Sequence, residues 1–194
     1  MAKLYFRYGA MGSSKTANVL MVRYNYEEKG QHAVLLKPKL DHRDGEQVLW
    51  SRIGLSAKCG FVEDFLQAWD PSDPYDEGRK IAAVIVDEAQ FLTTAQVDAL
   101  SDIVDFSDIP VICYGLRTDF TSTLFDGARR LMELADRIEE IPTVCWCGKR
   151  AHFNARFADG KIVRTGEQVL LGANDSYVSL CRKHFKEGKL RADD

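Results

Sequence analysis

The sequence predicts an α/β fold with a mostly parallel sheet. Short apolar runs alternate with helical patterns over the first 140 residues, and one apolar run leads directly into a glycine-containing loop that opens a helix. Clustered cysteines then appear near the C-terminus, where the sequence changes to short polar segments. We therefore expect a three-layer domain over residues 1–140 and a small zinc-binding domain over residues 141–194, because so short a segment buries little surface without a metal.

Four apolar runs are the predicted strands: residues 3–8, 33–37, 81–86 and 110–115. The third is apolar throughout, which is typical of a parallel strand covered on both faces. Helical spacing predicts helices from residue 16 to near Glu28 and over residues 61–68, 92–105 and 122–135. Residues 56–80, which include Pro71-Ser72-Asp73-Pro74, are the least regular part and are predicted to carry a surface loop. Ligands of such sheets bind at the carboxyl ends of the strands, so we expect the site there.

Composition limits the possible partners. The 194 residues are 45% hydrophobic, enough for one ordinary domain with a small appendage. Lysine and arginine number 26 against 29 acidic residues, and this net charge of −3 disfavours a nucleic-acid partner. The N-terminus lacks an apolar signal core and no stretch reaches membrane-spanning length, so we expect a cytoplasmic protein without a membrane partner. In that compartment the five cysteines suggest thiols or metal ligands.

The loop after the first strand is Gly9-Ala10-Met11-Gly12-Ser13-Ser14-Lys15-Thr16. It follows the phosphate-binding pattern G-x-x-x-x-G-K-[ST] except at Ser14, where the pattern has glycine. In such a loop Lys15 reaches the outer phosphates and Thr16 holds magnesium. A serine in the first helical turn has acceptable backbone angles, so we expect Ser14 to be tolerated with some loss of affinity. Taken alone, the motif fits equally well a turn of small residues with a solvated lysine.

Two acids, Asp87 and Glu88, directly follow the buried third strand. Proteins with a phosphate loop keep a magnesium-ordering acid at this place, so we assign Asp87 to magnesium and Glu88 to the proton of the acceptor. The alternative is a strand that ends in solvated acids, and the preceding loop favours the nucleotide role. Whether Glu88 positions water, giving hydrolysis, or a substrate hydroxyl, giving phosphoryl transfer, stays open at this point.

Four residues near the C-terminus have the chemistry of a metal site. Cys145 and Cys147 form a C-x-C pair, and Cys181 and His184 form a C-x-x-H pair. These ligands suit tetrahedral zinc, and four of them leave no open position, so the zinc would be structural. The alternative is free thiols with a surface histidine. Cys113, within an apolar run, is predicted to be a buried strand residue.

Together these segments resemble the thymidine kinases of the zinc-containing class, which includes bacterial and human cytosolic enzymes. The resemblance rests on motifs spread over nearly the whole chain: Tyr8-Gly9-Ala10-Met11, Lys15-Thr16, Val86-Asp87-Glu88-Ala89-Gln90-Phe91, Tyr114-Gly115-Leu116-Arg117-Thr118-Asp119-Phe120, Cys145-Trp146-Cys147-Gly148, Gly166-Glu167-Gln168 and Tyr177-Val178-Ser179-Leu180-Cys181-Arg182-Lys183-His184. It implies a RecA-like P-loop domain, and a lasso loop closed at its base by zinc. The implied activity is ATP-dependent phosphorylation of the 5′-hydroxyl of thymidine or deoxyuridine in pyrimidine deoxynucleotide salvage. A homotetramer inhibited by dTTP is also implied.

The resemblance assigns roles residue by residue. ATP, with Mg²⁺, is bound by Gly9, Ala10, Met11, Gly12, Ser13, Ser14, Lys15, Thr16, Asp87, Glu88, Ala89 and Gln90, with Glu88 as the general base. The nucleoside is bound by Phe120, Gln168, Val169, Leu170, Leu171, Gly172 and Tyr177. Phe120 matches the residue that stacks on the base; for Phe120 and Tyr177 the alternative is core packing. Met11, Leu116 and Thr118 match positions lining the pocket, and Asp41-His42-Arg43 resembles a segment near the triphosphate.

Two other functions remain possible from the sequence. Asp87-Glu88-Ala89-Gln90 is also similar to the acidic motif of helicases, which would indicate a nucleic-acid-linked P-loop ATPase. The small size, the negative net charge and the lack of a second motor domain count against it. The chain also departs from the family at Ser14 and at Gly12, so a nucleotide-binding homologue weakened at Ser14 is the other alternative.

Overall fold

The computed structural model describes residues 1–41, 47–169 and 176–192. In chain order the strands of the main sheet are β1 (Leu4–Tyr8), β2 (His32–Lys37), β5 (Gly60–Phe61), β6 (Tyr75–Asp76), β7 (Arg79–Val86), β8 (Val111–Gly115) and β9 (Arg137–Glu140). The helices packed on it are α1 (Lys15–Glu28), α2 (Val62–Ala68), α3 (Thr94–Ser107) and α4 (Asp126–Leu134). A hairpin of β3 (Val48–Trp50) and β4 (Ser56–Lys58) lies outside the main sheet.

The main sheet has the order β5-β2-β7-β8-β1-β9, with every neighbouring pair parallel, and β6 adds an antiparallel pair to β7. Alternate strand residues face opposite layers. On one face Val84 and Val86 pack with residues of α2, α3 and α4, and on the other Ala83 and Ile85 pack with α1. The predicted α/β three-layer fold with a mostly parallel sheet is confirmed, and Cys113 is a buried strand residue.

Two predicted helices begin later than expected. For α3 the reason is a capping box: Thr93 accepts a hydrogen bond from the backbone N–H of Gln96, and the Gln96 side chain bonds back to Thr93. For α4 the prediction of a start at residue 122 was wrong. The Asp119 carboxylate instead accepts backbone hydrogen bonds from Thr121 and Thr123, which holds this segment in a turn.

The chain after β9 forms what we call the small unit, residues 141–169 and 176–192. Its elements are β10 (Thr143–Val144), β11 (Arg150–Ala151), β12 (Phe153–Ala158), β13 (Lys161–Ile162), β14 (Tyr177–Leu180) and α5 (Arg182–Glu187). β12 lies between β13 and β14, and both pairs are antiparallel. The small unit has an apolar cluster of its own, in which Ala155, Leu180 and Phe185 are buried.

Candidate functional site

The phosphate loop, residues 9–16, connects β1 to α1 at the carboxyl end of the sheet. Ser14 is the N-cap of α1, with φ 59° and ψ 31°. The expectation that Ser14 would have ordinary first-turn angles was therefore wrong. It lies in the left-handed region, where a residue with a Cβ loses on the order of 1 kcal/mol relative to glycine. This is a physical reason why glycine stands here in the general pattern.

Lys15 is folded back onto its own loop. Its Nζ donates to the carbonyl oxygens of Gly9 (3.1 Å) and Ala10 (3.0 Å) and to the hydroxyl of Ser13 (3.2 Å). The side chain is buried by these contacts. Gly9 has no room for a side chain, since a Cβ there would lie 2.5 Å from the carbonyl oxygen of Ile141. In this arrangement the ammonium group of Lys15 is bound by carbonyl and hydroxyl oxygens of its own loop, and the lysine side chain lies within the loop.

Asp87 is fully buried at the end of β7. Its Oδ1 accepts a hydrogen bond from the backbone N–H of Glu88 (3.0 Å), whereas Oδ2 has no hydrogen-bond partner among the residues that the structure describes. Burial and the negative charge of Glu88 raise the pKa of Asp87 to about 7, and the Thr16 hydroxyl acts in the opposite direction. A buried carboxylate oxygen without a partner, beside a hydroxyl, fits a hard cation such as Mg²⁺.

Glu88 follows in a left-handed conformation, with φ 52°. Its carboxylate accepts a hydrogen bond from Gln90 Nε2, and Gln90 Oε1 accepts the backbone N–H of Leu116 (2.9 Å). A Cβ at Gly115 would lie 2.7 Å from Gln90 Oε1, so the glycine leaves space for this bridge. Gln90 therefore links the Glu88 carboxylate to the end of β8.

A cavity of about 350 Å³ is lined by residues of the phosphate loop and by Glu88. Its lining includes Met11, Lys15, Thr16 and Leu116. The turn of the β3–β4 hairpin closes another side, and its lining residues are Trp50, Ser51, Arg52 and Ile53. Sequence reasoning missed this hairpin because three-residue strands give no periodic signal.

The residues predicted to bind the nucleoside gather around Arg156 on β12. Its guanidinium lies 3.8 Å from the ring centroid of Phe120, which is 1% exposed, and its Nε donates to the Tyr177 hydroxyl (2.7 Å). Its other nitrogens donate to the carbonyl oxygens of Glu167 (2.9 Å) and Gln168 (3.4 Å). Since the Phe120 ring is covered, a base reaches it only after a neighbouring residue moves.

Further contacts connect the predicted nucleoside residues to the main sheet. Gln168 Nε2 donates to Asp119 Oδ2 (3.0 Å), and Val169 packs against the core below the sheet. The predicted residues Leu170, Leu171 and Gly172 lie outside the described residues, as do His42 and Arg43, and Asp41 is buried. Neither Asn154 nor Arg156 was anticipated. Their signal was two polar residues two positions apart in the short strand β12.

The four predicted metal ligands come together in the small unit. The ligand atoms of Cys145, Cys147, Cys181 and His184 all lie within 4.8 Å of one another. Nδ1 of His184 lies 3.4 Å from Cys145 Sγ and 3.5 Å from Cys181 Sγ. Trp146, between the first two cysteines, stacks on the His184 ring at 4.1 Å. Three thiols and an imidazole this close together suit a metal ion such as zinc.

Known proteins of similar sequence indicate the family of this chain. The family model described as thymidine kinase matches residues 2–185. The chain belongs to the thymidine kinase family. A curated thymidine kinase of Haemophilus influenzae (strain ATCC 51907 / DSM 11121 / KW20 / Rd) is 43% identical over 188 residues, which covers 96% of this chain and 97% of the relative. The thymidine kinase of Pasteurella multocida is 42% identical, with 96% and 98% covered. That of Escherichia coli O157:H7 is 44% identical, with 96% and 92% covered.

Family membership matches the resemblance drawn from the motifs, and the implied class of enzyme is a kinase. Within the described parts of the chain, no helix of this thymidine kinase family member has the length and apolar character needed to cross a membrane.

Proposed function

We propose that this protein transfers the γ-phosphate of ATP to the 5′-hydroxyl of thymidine or deoxyuridine, in the salvage of pyrimidine deoxynucleotides. The observation that carries the proposal is the position of Glu88, which lines the same cavity as Lys15 and Thr16 of the phosphate loop. The similarity to thymidine kinases over 96% of the chain supports the choice of acceptor.

On the donor side, residues 9–16 would bind the triphosphate through backbone N–H groups. Lys15 would exchange its contacts with the carbonyls of Gly9 and Ala10 for phosphate oxygens. Asp87 and Thr16 would hold Mg²⁺, which neutralises charge on the phosphates when bound. Asp87 Oδ2, which has no hydrogen-bond partner within the described parts of the chain, supports this assignment. Asp87 therefore acts by positioning and charge and takes no proton from the acceptor.

On the acceptor side, Glu88 would accept the proton of the 5′-hydroxyl. The hydrogen bond from Gln90 orients the carboxylate, and Gln90 is in turn fixed by the backbone of Leu116. Phosphoryl transfer depends mainly on positioning and electrostatics, so one oriented carboxylate is enough.

The nucleoside would be bound between Phe120, Tyr177 and the segment that begins at Gln168. Arg156 supports this assignment because it contacts all three. A lasso loop can read the pyrimidine edge with backbone donors and acceptors. The cysteine and histidine cluster would hold structural Zn²⁺, which acts through folding of the small unit and not through the chemistry.

The test is ADP release by the purified protein with and without thymidine. We expect release to depend on thymidine or deoxyuridine and thymidine monophosphate to accumulate. Equal release with and without nucleoside would reject the proposal. Release stimulated by nucleic acid would support the helicase-like ATPase instead, and ATP binding without turnover would support the homologue weakened at Ser14.

Three properties of the family stay predictions for this chain: a homotetramer, feedback inhibition by dTTP and a cytoplasmic location. Light scattering after size-exclusion chromatography measures the first. A titration of dTTP against thymidine phosphorylation measures the second, and we expect inhibition to weaken as thymidine increases because both ligands share the deoxythymidine group. Imaging of a tagged protein in cells tests the third.

A further inference from the structure

Two strands of the small unit form a ladder with two polar pairs. In the antiparallel register of β12 and β14, Asn154 lies opposite Ser179 and Arg156 lies opposite Tyr177. Residues two positions apart on a strand share a face, so both pairs face the same way. The residues between them, Ala155 and the paired Val178, contribute instead to the apolar cluster of the small unit.

The first pair holds one residue of the phosphate loop. Asn154 Oδ1 accepts the backbone N–H of Met11 (2.8 Å), and the Ser179 hydroxyl donates to the carbonyl oxygen of Met11. Both polar backbone groups of Met11 are therefore bound by side chains of the small unit. Asn154 Nδ2 donates in addition to the carbonyl oxygen of Thr118 (3.1 Å), in the segment after β8. Asn154 is buried, and both its amide oxygen and its amide nitrogen form hydrogen bonds.

The conformation of the phosphate loop is stabilised by hydrogen bonds from outside the loop. Gly12 has φ 76° and Ser14 has φ 59°, so two left-handed residues flank Ser13. A backbone in such conformations persists when its surroundings fix it. Phosphate is bound by backbone N–H groups whose directions depend on the peptide planes around Met11. Fixing both sides of Met11 therefore restricts the directions of the donors that follow it.

We propose that Asn154 and Ser179 are positioning residues for the phosphate loop: by holding Met11 they keep the loop in its nucleotide-binding shape, and they make that shape depend on the small unit. Asn154 bonds main-chain groups of two separate segments of the sheet domain, at Met11 and Thr118, and packing within the small unit alone does not account for these bonds. The turnover readout of this proposal rests on the proposed kinase function, but the nucleotide-binding readout does not.

The experiment compares Asn154→Ala, Ser179→Ala, the double variant and Phe153→Leu. Phe153 stacks on Phe185 in the small unit and precedes Asn154 on β12, so its side chain points to the opposite face and serves as the matched control. For each variant we would measure binding of Mg-ADP by calorimetry, kcat and KM for ATP and thymidine, melting temperature and zinc content.

We expect Ser179→Ala to weaken Mg-ADP binding about tenfold, in line with the loss of one hydrogen bond to Met11. Asn154→Ala should weaken it at least as much, since it removes the bond to Met11 and also the bond to the Thr118 carbonyl. The KM for ATP should rise more than the KM for thymidine, with zinc content unchanged. Because both side chains hold Met11, the double variant should lose less than the product of the two single effects. Phe153→Leu should lower the melting temperature and leave Mg-ADP affinity within about twofold, since core repacking affects folding and not the loop.

Normal Mg-ADP affinity in both alanine variants would overturn the proposal, and so would a double-variant loss equal to the product of independent effects. If Phe153→Leu weakened Mg-ADP binding as much as the alanine variants do, Asn154 and Ser179 would affect binding only through the stability of the small unit, and the proposal would be overturned. If Asn154→Ala fails to fold, Ser179→Ala still decides the question, since it removes a single hydroxyl from a partly exposed strand residue. If the wild-type protein bound Mg-ADP but did not phosphorylate thymidine, the proposed function would be wrong. The Mg-ADP affinities of the variants would still test the roles of Asn154 and Ser179.

Discussion

The two halves of the candidate site are stabilised in different ways. The phosphate loop follows β1, which lies between β8 and β9 in the parallel sheet, and its shape depends on the close approach at Gly9 and the left-handed Ser14. The small unit has a limited apolar cluster, and Cys145 and Cys181 of the metal-ligand set belong to it. Backbone geometry and a large core thus support the donor half, which we propose binds ATP. The acceptor half, which we propose binds the nucleoside, has a small apolar cluster, the candidate metal ligands and a few side-chain contacts.

The largest effect should come from Glu88, the residue that we propose acts on the nucleoside hydroxyl next to the phosphate loop. Glu88→Gln keeps the size and the contact with Gln90 but cannot accept the proton of the 5′-hydroxyl. We expect kcat to fall by roughly 10³-fold while ATP and thymidine still bind, in line with the loss of a general base. Rapid-quench measurement of thymidine monophosphate gives the rate. Glu133→Gln, on the exposed side of α4, is the control, and a Glu88→Gln rate near that control would remove Glu88 from its role.

Loss of the metal should weaken thymidine binding more than Mg-ADP binding. Cys181→Ala removes a ligand of the cluster, and we expect it to release zinc and weaken thymidine binding by about 10- to 100-fold, because the small unit then lacks its main constraint. Mg-ADP affinity should fall no further than in the Asn154 and Ser179 double variant. Calorimetry with each ligand and metal analysis measure these effects.

Cys113→Ala makes the same chemical change in the core of the sheet domain and is the control for metal loss. It should lower stability without changing zinc content. Wild-type protein that contains no zinc when purified would contradict the four-ligand assignment, and a greater loss of ADP than of thymidine affinity in Cys181→Ala would contradict the division into two halves.

Arg156 tests the acceptor half without touching the metal. Arg156→Lys keeps the positive charge, but a lysine cannot bond the Tyr177 hydroxyl and the Glu167 carbonyl in one fixed geometry. We expect the KM for thymidine to rise about tenfold and Mg-ADP affinity to stay unchanged. Arg164→Lys, which changes a contact with α5 in the same unit, is the control. Equal KM values in the two variants would show that Arg156 has no specific part in nucleoside binding.

The smallest effect should be seen in the donor half. Ser14→Gly removes the cost of a left-handed serine, so the free energy of unfolding should rise by up to about 1 kcal/mol. Mg-ADP should bind a few times more tightly, because Ser14 lines the cavity and glycine lets phosphate approach the backbone without a Cβ between them. Chemical denaturation and calorimetry measure the two quantities. Glu77→Gly relieves the same strain, at φ 48°, far from the loop, and should raise stability alone. If Ser14→Gly and Glu77→Gly both bound Mg-ADP more tightly, the effect would not be specific to Ser14 and the prediction would be wrong.

The sequence allowed prediction of the parts that depend on local patterns. The apolar run of β7, the loop before α1 and the ligand spacing around Cys181 each carry their signal within about ten residues. These patterns reflect burial, helix entry and tetrahedral coordination, which depend on short spacings. They were sufficient for the fold class and for locating the candidate metal cluster.

Contacts that join distant residues could not be predicted from local patterns. Met11 and Asn154 are 143 residues apart, and Met11 and Ser179 are 168 apart, so no short spacing relates them. The left-handed angle of Ser14 was missed because the angle is imposed by the loop on both sides, against the preference of serine itself. The late start of α4 was missed because the Asp119 turn competes with the helix for the same backbone groups.

The register of β12 and β14 has a geometric consequence. Two residues along a strand span about 6.6 Å, so the contact of Asn154 with the donor half and that of Arg156 with the acceptor half are a fixed length apart. Changes in the length of the chain between the two strands leave that length unaltered. A slip of β12 by one residue would turn Asn154 and Arg156 toward the apolar cluster and bring Ala155 to the polar face. If the two halves bind ATP and nucleoside as proposed, this strand pair fixes the distance between the two contacts that support them.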